Sequence, residues 1–283
     1  MLTRDRLRSI GVALFRVLLF TLLFVALQAA LVTALIFAVR VNVMLLDSIS
    51  VLVAAVVVGL LLLRALEQQP ARALGFPIAR NALTQLLSGS AIGIAGLLIA
   101  CLVLVAIGAL RYRSDDGSFA QWGGGMLNML LVLLIPAAAE EALFRGYPYQ
   151  KLVAGLGAVA ATLLASVLFA LAHAGNPAVN GFALVNIFVA GVVLSAAFLR
   201  TRSLWFATGV HLGWNWSMAA LLDLPVSGLE LFDAPLYEPV SRGAAWLSGG
   251  AFGPEGGVAG LLGLLLVLAG VWWFTRKTEW ATT

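Results

Sequence analysis

Eight apolar runs of roughly membrane-crossing length succeed one another along 283 residues, and they leave the chain few ways to fold. They cover about 11–39, 43–63, 83–110, 124–145, 152–173, 182–200, 203–222 and 256–275. A spanning α-helix needs about 20 apolar residues. Lipid offers no partner to a backbone N–H or C=O, so only helices or a closed barrel can cross it. The runs lack the alternation of barrel strands. Each therefore reads as a helix rather than a strand. The fold class is all-α, a polytopic transmembrane bundle of about eight helices. Gly89, Gly93 and Gly96 recur inside one run, at a spacing that lets helix backbones approach closely.

Composition agrees. The chain is 62% hydrophobic and 11% charged, whereas soluble domains carry about 25% charged residues. No long polar stretch interrupts the runs, so the bundle is the protein. The first run is too long for a signal peptide and lacks a small-residue cleavage site, so it is expected to be retained. The net charge of +4 comes from arginines at the ends of apolar runs, a pattern of topology and lipid headgroups. No basic stripe is interleaved with aromatics, which argues against nucleic acid. The single cysteine, Cys101, excludes an internal disulfide and a thiolate zinc site.

Arg4, Arg6 and Arg8 assign the N-terminus to the cytoplasm. Eight crossings return Arg276 and Lys277 to the same side, together with the connection 64–82. The acidic connection 223–255 falls outside; Arg111 and Arg113 run against this scheme, beside Asp115 and Asp116. The preference for Arg (15) over Lys (2) points to a GC-rich genome and so to a bacterial inner membrane.

Ionisable groups inside a bilayer are costly and usually mark function. Glu140 and Glu141 close the run 126–139, with Arg145 after them. Glu141 and Arg145 stand four residues apart and can pair on one helix face. Glu140 lies about 100° away from Glu141 and has no local partner. The only two histidines, His173 and His211, also lie in or at the ends of apolar helices. Phe169 precedes His173 by four residues, and Asn215 follows His211 by four. Three chemistries fit this set. A carboxylate in an apolar site can activate water while His and Asn groups stabilise an oxyanion. Glu140, His173 and His211 could instead hold zinc or iron. A proton path in a transporter is the third. There is no HExxH pair, no nucleophile motif beside either histidine, and no internal repeat of the transporter kind.

Glu140-Glu141-Ala-Leu-Phe-Arg145, Phe169-Ala-Leu-Ala-His173 and His211-Leu-Gly-Trp-Asn215 follow the ordered patterns EExxxR, FxxxH and HxxxN. In this the chain resembles the CPBP (Abi) family of intramembrane proteases, the group of CAAX prenyl endopeptidases and bacteriocin-processing or immunity proteins. The resemblance covers about 125–222, more weakly the run Gly253-Pro254-Glu255-Gly256-Gly257. It implies a catalytic core at 121–222, preceded by N-terminal helices at 1–120 and followed by an extramembrane loop and a final helix at 223–283. It implies that Glu140 is the general base on the attacking water and that His173 helps hold that water. His211 and Asn215 would stabilise the oxyanion, while Glu141 and Arg145, with Phe169, support the site. The family has been described both as metalloproteases and as metal-free glutamate proteases. Asn215 is a poor metal ligand and a good oxyanion donor, so no cofactor is favoured here; a metal-dependent site would use Glu140, His173 and His211, with zinc. The expected substrate is a peptide or a lipidated or hydrophobic protein at the bilayer, such as a leader peptide, a bacteriocin precursor or a membrane-protein fragment. A non-catalytic immunity or scaffold role and, behind it, a proton-coupled transporter are the alternatives.

One conflict remains at this level. Charge-based topology places Glu140 far along its helix toward the cytoplasm, whereas His173 emerges near the opposite end of its own. Either a helix is tilted or short, or the boundaries around 146–160 differ from those read here.

Overall fold

The computed structural model describes residues 3–38 and 42–276; Lys277 and residue 39 lie outside them. Each of the eight apolar runs contributes a helix. With a second helix at the run 152–173 and a short one in the connection 223–255, the helices in chain order are α1 (Arg4–Ala38), α2 (Val43–Glu67), α3 (Ala82–Ala106), α4 (Phe119–Arg145), α5 (Tyr147–Leu156), α6 (Ala158–Ala172), α7 (Gly181–Thr201), α8 (Leu204–Trp216), α9 (Ala245–Ser248) and α10 (Val258–Thr275). The architecture is an all-α bundle. Among the described residues six helical units are long and apolar enough to cross a membrane, α4 and α5 counting together as Phe119–Leu156. The chain is thus an integral, multi-pass membrane protein. Helices α6 and α8, of 15 and 13 residues, are shorter. Almost all of α8 is buried, so protein rather than lipid surrounds it.

The boundary conflict resolves between 146 and 158. Instead of one span at 152–173 there are two helices. Helix α5 continues the course of α4 past a break at Gly146, with Pro148 in its first turn, where a missing N–H costs nothing. Tyr147 stacks on Phe20 at 5.8 Å, and Gly155 lies against Ser9 and Ala13. Helix α5 therefore runs antiparallel to α1, toward the N-terminal end of α1. The chain reverses at Gly157, whose φ of +87° favours glycine. From Glu140 to Leu156 it descends about 24 Å, and α6 climbs back about 22 Å to His173, at 1.5 Å per residue. The two side chains end at the same depth.

Beside the helices the connections form a two-stranded ribbon. Helix α3 stops at Ala106, and Gly108 turns the chain at φ +73°. Leu110–Ser114 (β1) then pairs antiparallel with Tyr237–Ser241 (β2), Leu110 opposite Ser241 and Ser114 opposite Tyr237. This ribbon lies outside the spanning helices, where polar sequence frees the backbone from helix. It also closes α8. After Asn215 the helix widens into a π-turn at Ser217–Leu221. Tyr112 Oη donates to Leu222 O at 3.0 Å, and Tyr237 Oη donates to Leu221 O at 2.8 Å. Both bonds satisfy carbonyls that a helix end leaves unpaired.

Helix ends gather on two faces. On one, Leu204 N–H donates to Gly75 O, Gln150 Nε2 to Leu74 O, and Trp205 Nε1 to Pro77 O. Lys151 pairs there with Glu67, and Arg200 with Thr275. On the other lie the β1–β2 ribbon, the α6–α7 turn and the segment 223–257, joined by Asn176 Nδ2 donating to Ser227 O at 2.9 Å.

Helix α8 carries His211 and Asn215, and α3 holds it at backbone contact distance. A Cβ on Gly89 would overlap Phe206 O, one on Gly93 would overlap Val210 O, and one on Gly213 would overlap Ser90 O. The two helices therefore approach through glycine on both sides, as small-residue spacing allows. Gly213→Val should lower the thermal midpoint in detergent, with an overpacking cost of about 3 kcal/mol. Gly124→Val, at a site with nothing within 4 Å, should leave the midpoint within error.

The segment after α8 carries a titrating contact. Asp223 Oδ1 accepts from Ala234 N–H at 3.1 Å. Burial, then the charges of Asp233, Glu238 and Glu230, push its carboxyl from 3.8 up to about 6 despite that bond. A carboxyl raised on folding favours the folded form while protonated. Its contribution is complete below 3.8 and is lost as pH rises through about 6. Limited proteolysis within 223–255 should therefore speed up between about pH 5 and about pH 7, and Asp223→Asn should remove that pH dependence.

Candidate active site

The last turns of α4 place Glu140, Glu141 and Arg145 in the bundle. Glu141 and Arg145 are fully buried, each 0% exposed. Arg145 Nη1 donates to Glu141 Oε1 at 3.1 Å, and Nη2 donates to Gly191 O on α7 at 3.1 Å. The guanidinium also lies 4.5 Å from the ring centroid of Phe169 on α6. One cation thus ties α4 to α6 and α7. The same carboxylate oxygen of Glu141 lies 3.0 Å from His211 Nδ1 on α8. Facing a carboxylate that Arg145 already engages, Nδ1 is assigned as the protonated nitrogen, which leaves Nε2 for the cavity.

His173 caps the C-terminal end of α6. Its Nδ1 lies 2.8 Å from Phe169 O, an acceptor, so the same assignment holds and Nε2 again faces inward. Phe169 sits beneath both imidazoles, with centroids at 4.8 Å from His173 and 6.2 Å from His211. Glu140 occupies the space between them. Its Oε2 is 3.9 Å from Nε2 of His173 and 3.9 Å from Nε2 of His211. That oxygen is buried, and no group among the described residues hydrogen-bonds to it. Both distances are too long for a direct hydrogen bond and suit groups bridged by one water.

Glu140, His173, His211 and Asn215 line one cavity of about 350 Å³. Asn215 stands one helical turn beyond His211, half-buried. The carboxylate is reachable, since the Glu140 side chain is 31% exposed. A tetrahedral ion bonded at about 2.0–2.2 Å would hold its ligand atoms only about 3.4 Å apart. Among the described residues, no group of three His, Cys, Asp or Glu side chains is close enough to serve as a metal ligand set.

Sequence reasoning left out the residues that close the cavity. Glu255 is buried at 4% exposure. Its Oε1 accepts from Trp214 Nε1 at 2.9 Å, and its Oε2 accepts from Ser227 N–H at 2.9 Å and Ser227 Oγ at 2.8 Å. Asn186 Nδ2 on α7 donates to the carbonyls of Glu255 and Gly257, both at 2.8 Å. This carboxylate thus fastens the segment around 227 to the residue before Asn215. Asp47, on α2, also lines the cavity. The signal for Glu255 was its place in a Gly-Pro-Glu-Gly-Gly run; Asp47 had none, because its helix is distant in sequence.

Helices α4, α6 and α8 bring Glu140, His173, His211 and Asn215 to one cavity, and the stretch that carries them is the one that comparison identifies. Residues 122–217 match the family model of the type II CAAX prenyl endopeptidases, Rce1-like. This agrees with the resemblance carried by the three motifs. The matched stretch runs from the first turn of α4 to the start of the π-turn, and it contains Glu140, Glu141, Arg145, Phe169, His173, His211 and Asn215. The matched family is one of proteases. No curated protein matches the chain.

The two glutamates differ in environment, so their variants should differ. Glu141→Gln removes the charge that Arg145 and His211 share, and breaking a buried pair costs about 3–5 kcal/mol. Its thermal midpoint in detergent should fall well below that of the parent. Glu140→Gln, lacking a paired partner, should melt with the parent.

Proposed function

We propose that the chain is an intramembrane endopeptidase in which Glu140 activates a water for attack on a peptide bond. The observation that carries this reading is the buried, unpartnered Oε2 of Glu140, 3.9 Å from two imidazole nitrogens. His211 enters as the imidazolium that Glu141 holds at Nδ1, its Nε2–H a donor, and the other two atoms, Glu140 Oε2 and His173 Nε2, are acceptors. What they jointly select is a donor, and a water supplies two O–H groups at that point. Glu140 takes one proton as the oxygen attacks the carbonyl carbon, while His173 orients the water. The carbonyl oxygen becomes an oxyanion, which Asn215 Nδ2 and a protonated His211 stabilise through their N–H donors. Glu141, behind Nδ1, stabilises that imidazolium, as the carboxylate does in a Ser-His-Asp triad. Glu140 then returns its proton to the leaving amine, the C–N bond breaks, and a carboxylic acid and an amine are released.

The donor set Glu140, His173 and His211 is one that zinc accepts. The reading adopted here is metal-free, supported by Asn215 as the fourth polar group and by the 3.9 Å separations. The substrate is a peptide segment, hydrophobic or lipidated, drawn into a cavity between helices of a bacterial inner membrane.

Purified protein should cleave a fluorogenic hydrophobic peptide in detergent. Glu140→Gln should lower that rate by about 10²–10⁴-fold, the contribution of a general base, with the fold intact by thermal melt. A chelator should leave the parent rate unchanged; loss of activity restored by added zinc would replace the metal-free step. Full activity in Glu140→Gln would remove the assignment.

A further inference from the structure

Part of the cavity's lining comes from helix ends and turns of one face. Its lining includes Met44, Asp47 and Val51 at the N-terminal end of α2, Asn176 in the α6–α7 turn, and Ser227 and Leu229 in the segment after α8. All of these belong to the face that carries the β1–β2 ribbon. Toward the other face the path is filled. Below Glu140 on the α4–α5 rod come Glu141 and Arg145, then Tyr147, Tyr149 and Leu152, all buried. Phe144 and Phe169 close the same level, edge to face at 5.1 Å. Farther down, Ser203 hydrogen-bonds Gln85, and Leu204 N–H seals against Gly75 O.

The two faces differ in charge. The closed face gathers the N-terminal end of α1 with Arg4, Arg6 and Arg8, and the α2–α3 connection with Arg64, Arg72 and Arg80. Arg200 and Arg202 at the α7–α8 turn, and Arg276 after α10, lie there too. On the open face Arg111, Arg113 and Arg242 are outnumbered by Asp115, Asp116, Asp223, Glu230, Asp233 and Glu238. Basic residues near helix ends stay in the cytoplasm.

We infer that the peptide reaches Glu140 from the extracytoplasmic face, so that the substrates are exported or outward-facing segments rather than tails lipidated in the cytoplasm. This rests on the endopeptidase reading for the chemistry, but the sidedness stands on helix ends and charge. A tail modified in the cytoplasm would arrive at the end closed by Arg145, Tyr147 and Tyr149. A leader peptide, or the outer flank of a membrane segment, would meet the cavity mouth directly.

Two measurements test it. In the first, right-side-out and inverted membrane vesicles containing the full chain receive a hydrophobic fluorogenic peptide coupled to dextran, which cannot cross the bilayer. Right-side-out vesicles should cleave it without detergent, and inverted vesicles only after detergent opens them; the reverse pattern overturns the inference. In the second, Ser114→Cys and Gln69→Cys are made separately in a Cys101→Ala background. Both positions are exposed, on the open and closed faces respectively. A membrane-impermeant maleimide should label Ser114→Cys in intact spheroplasts and Gln69→Cys only after lysis; the opposite result overturns the inference. If detergent-opened vesicles of both kinds fail to cleave, the endopeptidase reading falls, and the labelling still decides which face the cavity serves.

Discussion

One buried cation organises this molecule. Arg145 has no exposure, and in an apolar bundle a lone guanidinium would be prohibitive. Its charge is met by Glu141, its second nitrogen by Gly191 O, and its face by Phe169. Those three partners stand on α4, α7 and α6. Glu141 then reaches His211 on α8 through the same oxygen. The network that neutralises the arginine is thus also the network that aims the imidazole. Removing any member strands a charge or frees a ring, and the four helices have no cheaper way to satisfy one another.

Around that point, packing fixes position by two different means. Helices α3 and α8 meet through glycines so closely that no side chain fits between them. Lipid tails are as apolar as leucine, so burial of apolar surface contributes little to association within the membrane and close van der Waals contact takes over. Outside the bundle the means are polar. Glu255, with Trp214 and Ser227 as donors, holds the segment after α8 across the cavity. Tyr112 and Tyr237 close the widened end of the helix carrying His211 and Asn215. A site composed of a few side chains thus depends on contacts drawn from nearly the whole chain.

The same geometry separates the roles of two neighbouring glutamates. Glu141 accepts from a cation and an imidazole and is sealed from solvent. Glu140, about 100° around the helix, turns a buried oxygen toward two Nε2 atoms and remains accessible. Adjacent residues of one chemical type acquire different work because they leave the helix about 100° apart and meet opposite sides of His211, Glu141 at Nδ1 and Glu140 toward Nε2.

The amino-acid sequence alone determined the helices, because lipid allows an apolar run of about 20 residues no other hydrogen-bonded form. It also determined the Glu141–Arg145 pair, since residues four apart share a helix face, and it singled out two histidines and Asn215 by their rarity and order. It could not show that His173 lies level with Glu140. That depends on α5 extending α4 before the reversal at Gly157, and one glycine in an apolar run does not announce a turn. Nor could it show that Glu141 binds His211, that Glu255 grips Trp214, or that the polar segments at 110–114 and 237–241 pair as strands. Each of these joins residues far apart in the chain, and only the packing of helices at a defined depth and face brings them within hydrogen-bond reach.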